Sequence, residues 1–153
     1  MAESSPHILI VEARFYDKIA DEMSKGAARE IEKQGGTWER LAVPGAFEIP
    51  GAIRFASEAP RTAAGKPPYD GFIALGCVIR GETSHYDYVC GESARGLQDL
   101  AVHRGLAIGY GILTVENEEQ AWARAGLHRG NKGGDAAQAC LAMIALRRRF
   151  GLG

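Results

Sequence analysis

The sequence predicts an α/β fold, a four-stranded parallel sheet between two layers of helices, and three observations carry that expectation. β-rich segments alternate with segments of helical periodicity along the chain, the pattern of βαβ units with right-handed crossovers. Residues 72–79, FIALGCVI, have no polar alternation, which is how a strand covered on both faces of a parallel sheet reads. The polar, chemistry-bearing residues fall just after the β-rich runs, where open α/β sheets bind ligands.

Taken in order, residues 7–11 form the first strand, and residues 12–16 lead from it into a helix. Ile19, Met23, Ala27 and Ile31 recur every fourth position and make one apolar stripe, which Gly35 and Gly36 stop. Residues 37–43 read as a second strand closed by Pro44 and Gly45. Another helix opens through residues 46–50, with Pro50 in its early turn, where a missing N–H costs nothing. The breaker-rich residues 59–68 form a surface connection, since sheet signals resume at once and the fold continues through them. The third strand ends in a polar loop, and a long helix follows from His85 to about Arg104. Residues 106–115 are a fourth strand, and 116–117 its exit loop. A short helix covers 118–125, residues 130–134 form a glycine-rich turn, and Asp135 caps a last helix through Phe150. The arginines at 147–149 complement that helix's dipole. The resulting architecture is a three-layer sandwich of flavodoxin-like type, without internal repeats.

Bulk properties narrow the function. A chain of 153 residues, 46% hydrophobic and 24% charged, has the size of one globular domain spanning 1–153. Its 18 basic and 19 acidic residues give a net charge of −1, no global field for nucleic acid or an anionic membrane, so neither is expected as a partner. Three cysteines, Cys77, Cys90 and Cys140, lack CxxC spacing, which argues against a disulfide framework and a zinc site. Residues 1–6 lack a signal-peptide pattern and no apolar run approaches membrane-spanning length, so a cytoplasmic protein is expected.

The candidate site gathers on three strand exits: Phe15 after the first, Ala46 to Glu48 after the second, and Glu82 to His85 after the third. Phe15 fits core packing or, at a strand exit, stacking on a planar ring. Glu48 fits a carboxylate favoured by a helix dipole or an acceptor for a ligand's hydroxyls. His85 is the best candidate for proton transfer, since an imidazole ordinarily titrates near 6.5. It has no Ser or Asp at triad spacing, and an unpartnered helix-start residue is the other reading. Residues 80–84 offer backbone N–H groups to an anion at a helix amino terminus. Arg124 and Lys132 offer cations for a phosphate, or simply solvated surface.

The chain resembles the 6,7-dimethyl-8-ribityllumazine synthase family of riboflavin biosynthesis. The resemblance rests on ARF at 13–15, VPGAFEIP at 43–50, VIRGETSHYDYV at 78–89, YGILT at 110–114, EN at 116–117, RAG at 124–126 and GNKG at 130–133, in family order over nearly the whole chain. It implies a transferase that condenses 5-amino-6-(D-ribitylamino)uracil with 3,4-dihydroxy-2-butanone 4-phosphate, giving the lumazine, phosphate and water without metal or organic cofactor. It further implies that Phe15 stacks on the pyrimidine, that Ala46, Phe47 and Glu48 line the ribityl chain, and that Cys77, Val78 and Ile79 meet the uracil edge through backbone groups. Glu82, Thr83 and Arg124 would hold the butanone phosphate, with Lys132 assisting. His85 would carry protons, and Tyr110 would close the pocket. A homopentamer with sites at subunit interfaces is implied too, as is possible packing of pentamers into a 60-subunit icosahedral shell.

The chain departs from the family pattern at Tyr16, Ser84 and residues 127–129, none of them a named catalytic group. A non-catalytic flavin- or lumazine-binding module would keep Phe15 and Glu48 but have no need of His85 and Arg124 together. A purely structural shell protein would show no turnover.

Overall fold

The computed structural model describes residues 4–153, so the first half of the terminal segment read for targeting lies outside the described residues. The chain runs β1 (His7–Ala13), α1 (Asp17–Lys33), β2 (Thr37–Val43), a 3-10 turn (Ala46–Glu48), α2 (Ile49–Ser57), β3 (Gly71–Ile79), α3 (His85–Arg104), β4 (Ile108–Val115), α4 (Glu118–Ala125) and α5 (Lys132–Arg149). The strands lie in the order β2-β1-β3-β4 and all pairs are parallel. The flavodoxin-like reading therefore holds, with β1 and β3 central.

Alternation along each strand builds the two helical layers. Ile8, Ile10, Ile73, Leu75, Leu113 and Val115 face one side, where Ile19, Met23, Ala27 and Ile31 of α1 meet Ala121 of α4 and Ala137 and Cys140 of α5. Leu9, Val11, Phe72, Ala74 and Ile112 face the other, against Ile49 and Ile53 of α2 and Leu97 and Leu100 of α3. Gly109 and Gly111 of β4 admit α5 closely: a Cβ on Gly109 would stand 1.9 Å from the Ala136 carbonyl oxygen.

Three expectations are corrected. The last helix begins at Lys132, with Asn131 rather than Asp135 as its cap. Asn131 takes φ 47°, and its side-chain oxygen accepts from the Gly134 N–H at 3.3 Å, so Gly133 and Gly134 lie inside the helix instead of in a turn. β1 reaches Ala13, because Glu12 is still in register with Ala42 on one side and Leu75 on the other. The arginines at 147–149 do more than face a dipole. Arg147 donates to the carbonyls of Gly105 and Leu152 and so ties α5 to the end of α3, and Arg148 reaches Asp70 at 3.9 Å.

Candidate functional site

Because every strand is parallel, the exits of β1, β2, β3 and β4 open on one edge of the sheet, and the chain's exposed polar groups of interest sit there. The ladders end unevenly. The β1–β3 pairing stops at Glu12 and Leu75, whereas the β3–β4 pairing continues to Ile79 and Val115. The last four residues of β3, Gly76 to Ile79, thus have no strand partner on the β1 side. Main-chain donors and acceptors along that edge are left for whatever enters beside them.

Around this edge the fold brings together Ala13, two residues before Phe15, with Ala46 and the end of β3. A Cβ built on Gly76 would lie 3.5 Å from the Ala13 Cβ, 3.7 Å from the Ile49 Cδ1 and 3.8 Å from the Ala46 Cβ, so the exits of β1 and β2 converge on β3. Ala46 is buried there, while Phe47 and Glu48 are exposed on the same 3-10 turn. Phe15 is 77% exposed, and its ring meets the Tyr16 ring edge-on at 4.9 Å. Cys77 and Ile79 point toward the α1 layer and Val78 toward the α2–α3 layer, all partly buried. Burial, with a further push from the negative charge of Glu118, raises the Cys77 thiol to about 11, so this sulfur stays protonated at neutral pH.

The β3–α3 loop supplies Glu82 and Thr83, both exposed, and then His85 at the first position of α3, also exposed. Thr83 Oγ1 accepts from the His85 N–H at 3.3 Å. A helix start with exposed N–H groups suits an anion. Arg80, read as offering its main-chain N–H to that anion, instead donates it to the Val115 carbonyl at 2.9 Å; its side-chain Nε donates to Glu116 at 2.9 Å, Nη1 stands 3.6 Å from Asp87, and the guanidinium lies 4.3 Å from the Tyr86 ring centre. It joins the loop's start to α3 and to the exit of β4.

Within the chain, three expected residues stay apart from this group. Tyr110 sits mid-strand on the edge strand β4, opposite Ala74, and is 47% exposed. Arg124, exposed at the end of α4, hydrogen-bonds the Gln120 carbonyl at 3.0 Å, and Lys132 pairs with Asp135 at 3.4 Å. A cavity of about 680 Å³ lies at the opposite end of the strands among Tyr69, Asp70, Ala107 and Arg147.

The sequence reading missed a charged cluster at the end of β1. Glu12 is 1% exposed and accepts from Ser24 Oγ (2.7 Å), from Arg40 Nε and Nη2 (2.7 and 2.9 Å), and from Arg14. An acidic residue closing an apolar strand was the visible signal. Arg14 is two residues away, but Ser24 and Arg40 come from α1 and β2, and only the fold shows that. Among the described residues no cluster of three or more His, Cys, Asp or Glu side chains could hold a metal, and no helix is long and apolar enough to cross a membrane.

The sequence profile described as 6,7-dimethyl-8-ribityllumazine synthase matches residues 5–148. The chain belongs to that family. The protein of that name from Bartonella tribocorum is 58% identical over 146 residues, covering 95% of this chain and 93% of the relative. The 6,7-dimethyl-8-ribityllumazine synthase 1 of Rhizobium meliloti is 57% identical over 152 residues, covering 99% and 98%. The 6,7-dimethyl-8-ribityllumazine synthase of Agrobacterium fabrum is 54% identical over 148 residues, covering 97% and 99%. Membership over nearly the full length makes the chain a transferase of riboflavin biosynthesis.

Proposed function

We propose that this chain performs its family's condensation, joining 5-amino-6-(D-ribitylamino)uracil to 3,4-dihydroxy-2-butanone 4-phosphate with release of phosphate and water, at the exits of β1, β2 and β3. The observation that carries this is the free edge of β3 at residues 76–79, on which converge the Ala46–Glu48 turn and the exit of β1, two residues before the exposed Phe15. A planar heterocycle with donors and acceptors along one side can take the place of the missing strand there, hydrogen-bonded by the main chain of Cys77, Val78 and Ile79 and stacked on Phe15. Ala46, Phe47 and Glu48 then line the ribityl chain, with the Glu48 carboxylate accepting from its hydroxyls.

The phosphate of the second substrate sits at the start of α3, held by the main chain of Glu82 and the hydroxyl of Thr83, with Arg124 as counter-charge and Lys132 assisting. The Glu82 side chain need not face it. His85 takes a proton as the amine adds to the butanone carbonyl and returns one as water and phosphate leave. Binding the two substrates side by side removes much of the entropic barrier to their union.

Arg124 and Tyr110 reach this site from a neighbouring subunit in a homopentamer, where each head-to-tail junction forms one site. Their outward placement, on the end of α4 and on the edge strand, favours that arrangement. Pentamers packing into a 60-subunit icosahedral shell, and a cytoplasmic location, belong to the same reading. Incubation of the purified protein with both substrates should give lumazine absorbance, and its absence would leave only a binding or shell role. Arg124→Ala should weaken capture of the butanone phosphate and spare the pyrimidine. Equal weakening of both would assign Arg124 to the pocket's shape.

A further inference from the structure

Glu12 is the penultimate residue of β1, buried, and its side chain faces α1. Replacing such a buried ion group by apolar side chains is often neutral or stabilising, so stability alone does not account for it. Its geometry suggests another use. Arg14 donates to Glu12 on the strand and to Asp21 on α1 at 2.8 Å, and its Nε stands 3.5 Å from Asp17. Arg40 closes the group from β2, bonding Glu12 through two nitrogens and Asp21 at 3.2 Å.

These bonds span the turn between Ala13 and Asp17, where Phe15 sits. On the far side of Phe15 the turn is held by the half-buried Tyr16 ring, which packs against the core, and by the Ala20 N–H, which donates to the Tyr16 carbonyl at 2.9 Å. Tyr16, at the cap position before α1, makes no side-chain cap, so on the near side only Arg14 holds the turn, and the Tyr16 ring is the only ring that Phe15 meets among the described residues. An exposed aromatic at a strand exit keeps one orientation only if its main chain is held, and Arg14 is the adjacent residue that is tied down on both sides.

We propose that Glu12, with Arg14, Arg40 and Asp21, is a positioning group that sets the main chain of Phe15 for stacking on the pyrimidine. None of the four touches substrate. The proposal rests on the reading that Phe15 is the stacking ring.

Its test is a cycle of variants read by titration of the pyrimidine substrate alone, with the KM for the butanone phosphate as the second readout. Glu12→Gln should weaken pyrimidine binding on the order of tenfold, as displacement of a positioned group does, and leave the butanone phosphate KM unchanged. In a Phe15→Ala background the same change should add nothing, since its effect passes through that ring. Equal weakening of both substrates, or an undiminished effect in the Phe15→Ala background, would overturn the positioning role. If Phe15→Ala weakens pyrimidine binding while Glu12→Gln does not, positioning fails and stacking stands. If Phe15→Ala itself has no effect, the stacking reading fails and takes this inference with it. Should Glu12→Gln not fold, Asp21→Asn decides by the same two readouts, because Asp21 is exposed and its loss leaves no charge in the core.

Discussion

Gly133, in the first turn of α5, lies against the main chain of α1: a Cβ built on it would stand 2.0 Å from the Met23 carbonyl oxygen and 2.7 Å from its carbon. Backbone cannot yield as a side-chain tip can. Gly133→Ala should therefore cost on the order of 3 kcal/mol in denaturant unfolding. Gly91 in α3 has nothing within 4 Å of its virtual Cβ, and Gly91→Ala should stabilise by about 0.5–1 kcal/mol. Similar effects at both positions would mean that α1 and α5 are not in this contact.

The same glycine shows where sequence reading reached its limit. The element boundaries of α1, β2, α3 and α4 were legible because apolar periodicity and glycine stops are local signals. The start of α5 was not, since a Gly-Asn-Lys-Gly-Gly run reads locally as a turn, and only contact with α1 makes helix the better state for Gly133 and Gly134. The positions of the candidate site residues were legible to the same extent. Phe15, Glu48 and His85 stand at strand exits, which a pattern of β-rich runs reveals. The free edge of β3 and the Glu12–Arg40 pair depend on which strands lie beside one another and in what register, and no single stretch encodes that.

Glu12 should also make stability acid-sensitive. Burial pushes its carboxyl up, but the hydrogen bonds from Arg40, Arg14 and Ser24 outweigh that and hold it below its ordinary 4.5. A carboxylate depressed in the folded state contributes stability that is complete above the unfolded value and is lost as pH falls through the folded one. Asp21, held down by Arg14, acts in the same direction, though its exposure screens it. Urea midpoints should accordingly fall as pH drops below about 4.5, and Glu12→Gln should flatten that fall. At neutral pH the variant should cost about 1–2 kcal/mol, since both guanidiniums lose a charged partner but stay part-exposed and bonded to Asp21. A variant as acid-sensitive as the parent would place the titrating group elsewhere.

Cys77 lies on the free edge of β3, yet its chemistry should be silent. With its thiol raised to about 11 by burial and by Glu118, almost none is thiolate at neutral pH. Iodoacetamide should modify it far more slowly than a free small thiol, and Cys77→Ala should keep most of the turnover. A loss on the order of a hundredfold would give the sulfur a catalytic part that main-chain contact does not require.

The shared-site arrangement makes a quantitative prediction. If His85 of one subunit works with Arg124 of the next, then His85→Ala and Arg124→Ala damage opposite sides of each junction. Unfolded together and reassembled at random, a junction recovers when the subunit supplying the histidine is the Arg124→Ala variant and the one supplying the arginine is the His85→Ala variant. Each condition is met half the time, so about a quarter of head-to-tail junctions regain both groups. Lumazine formation should rise from the low rates of the separate variants toward that fraction of the wild-type rate. His85→Ala alone should retain part of its turnover and bind the pyrimidine normally, because aligning the two substrates does much of the work without it. A native mass corresponding to a monomer, or co-assembled variants no faster than the mean of the two alone, would place Arg124 and His85 in the same subunit's site or in none.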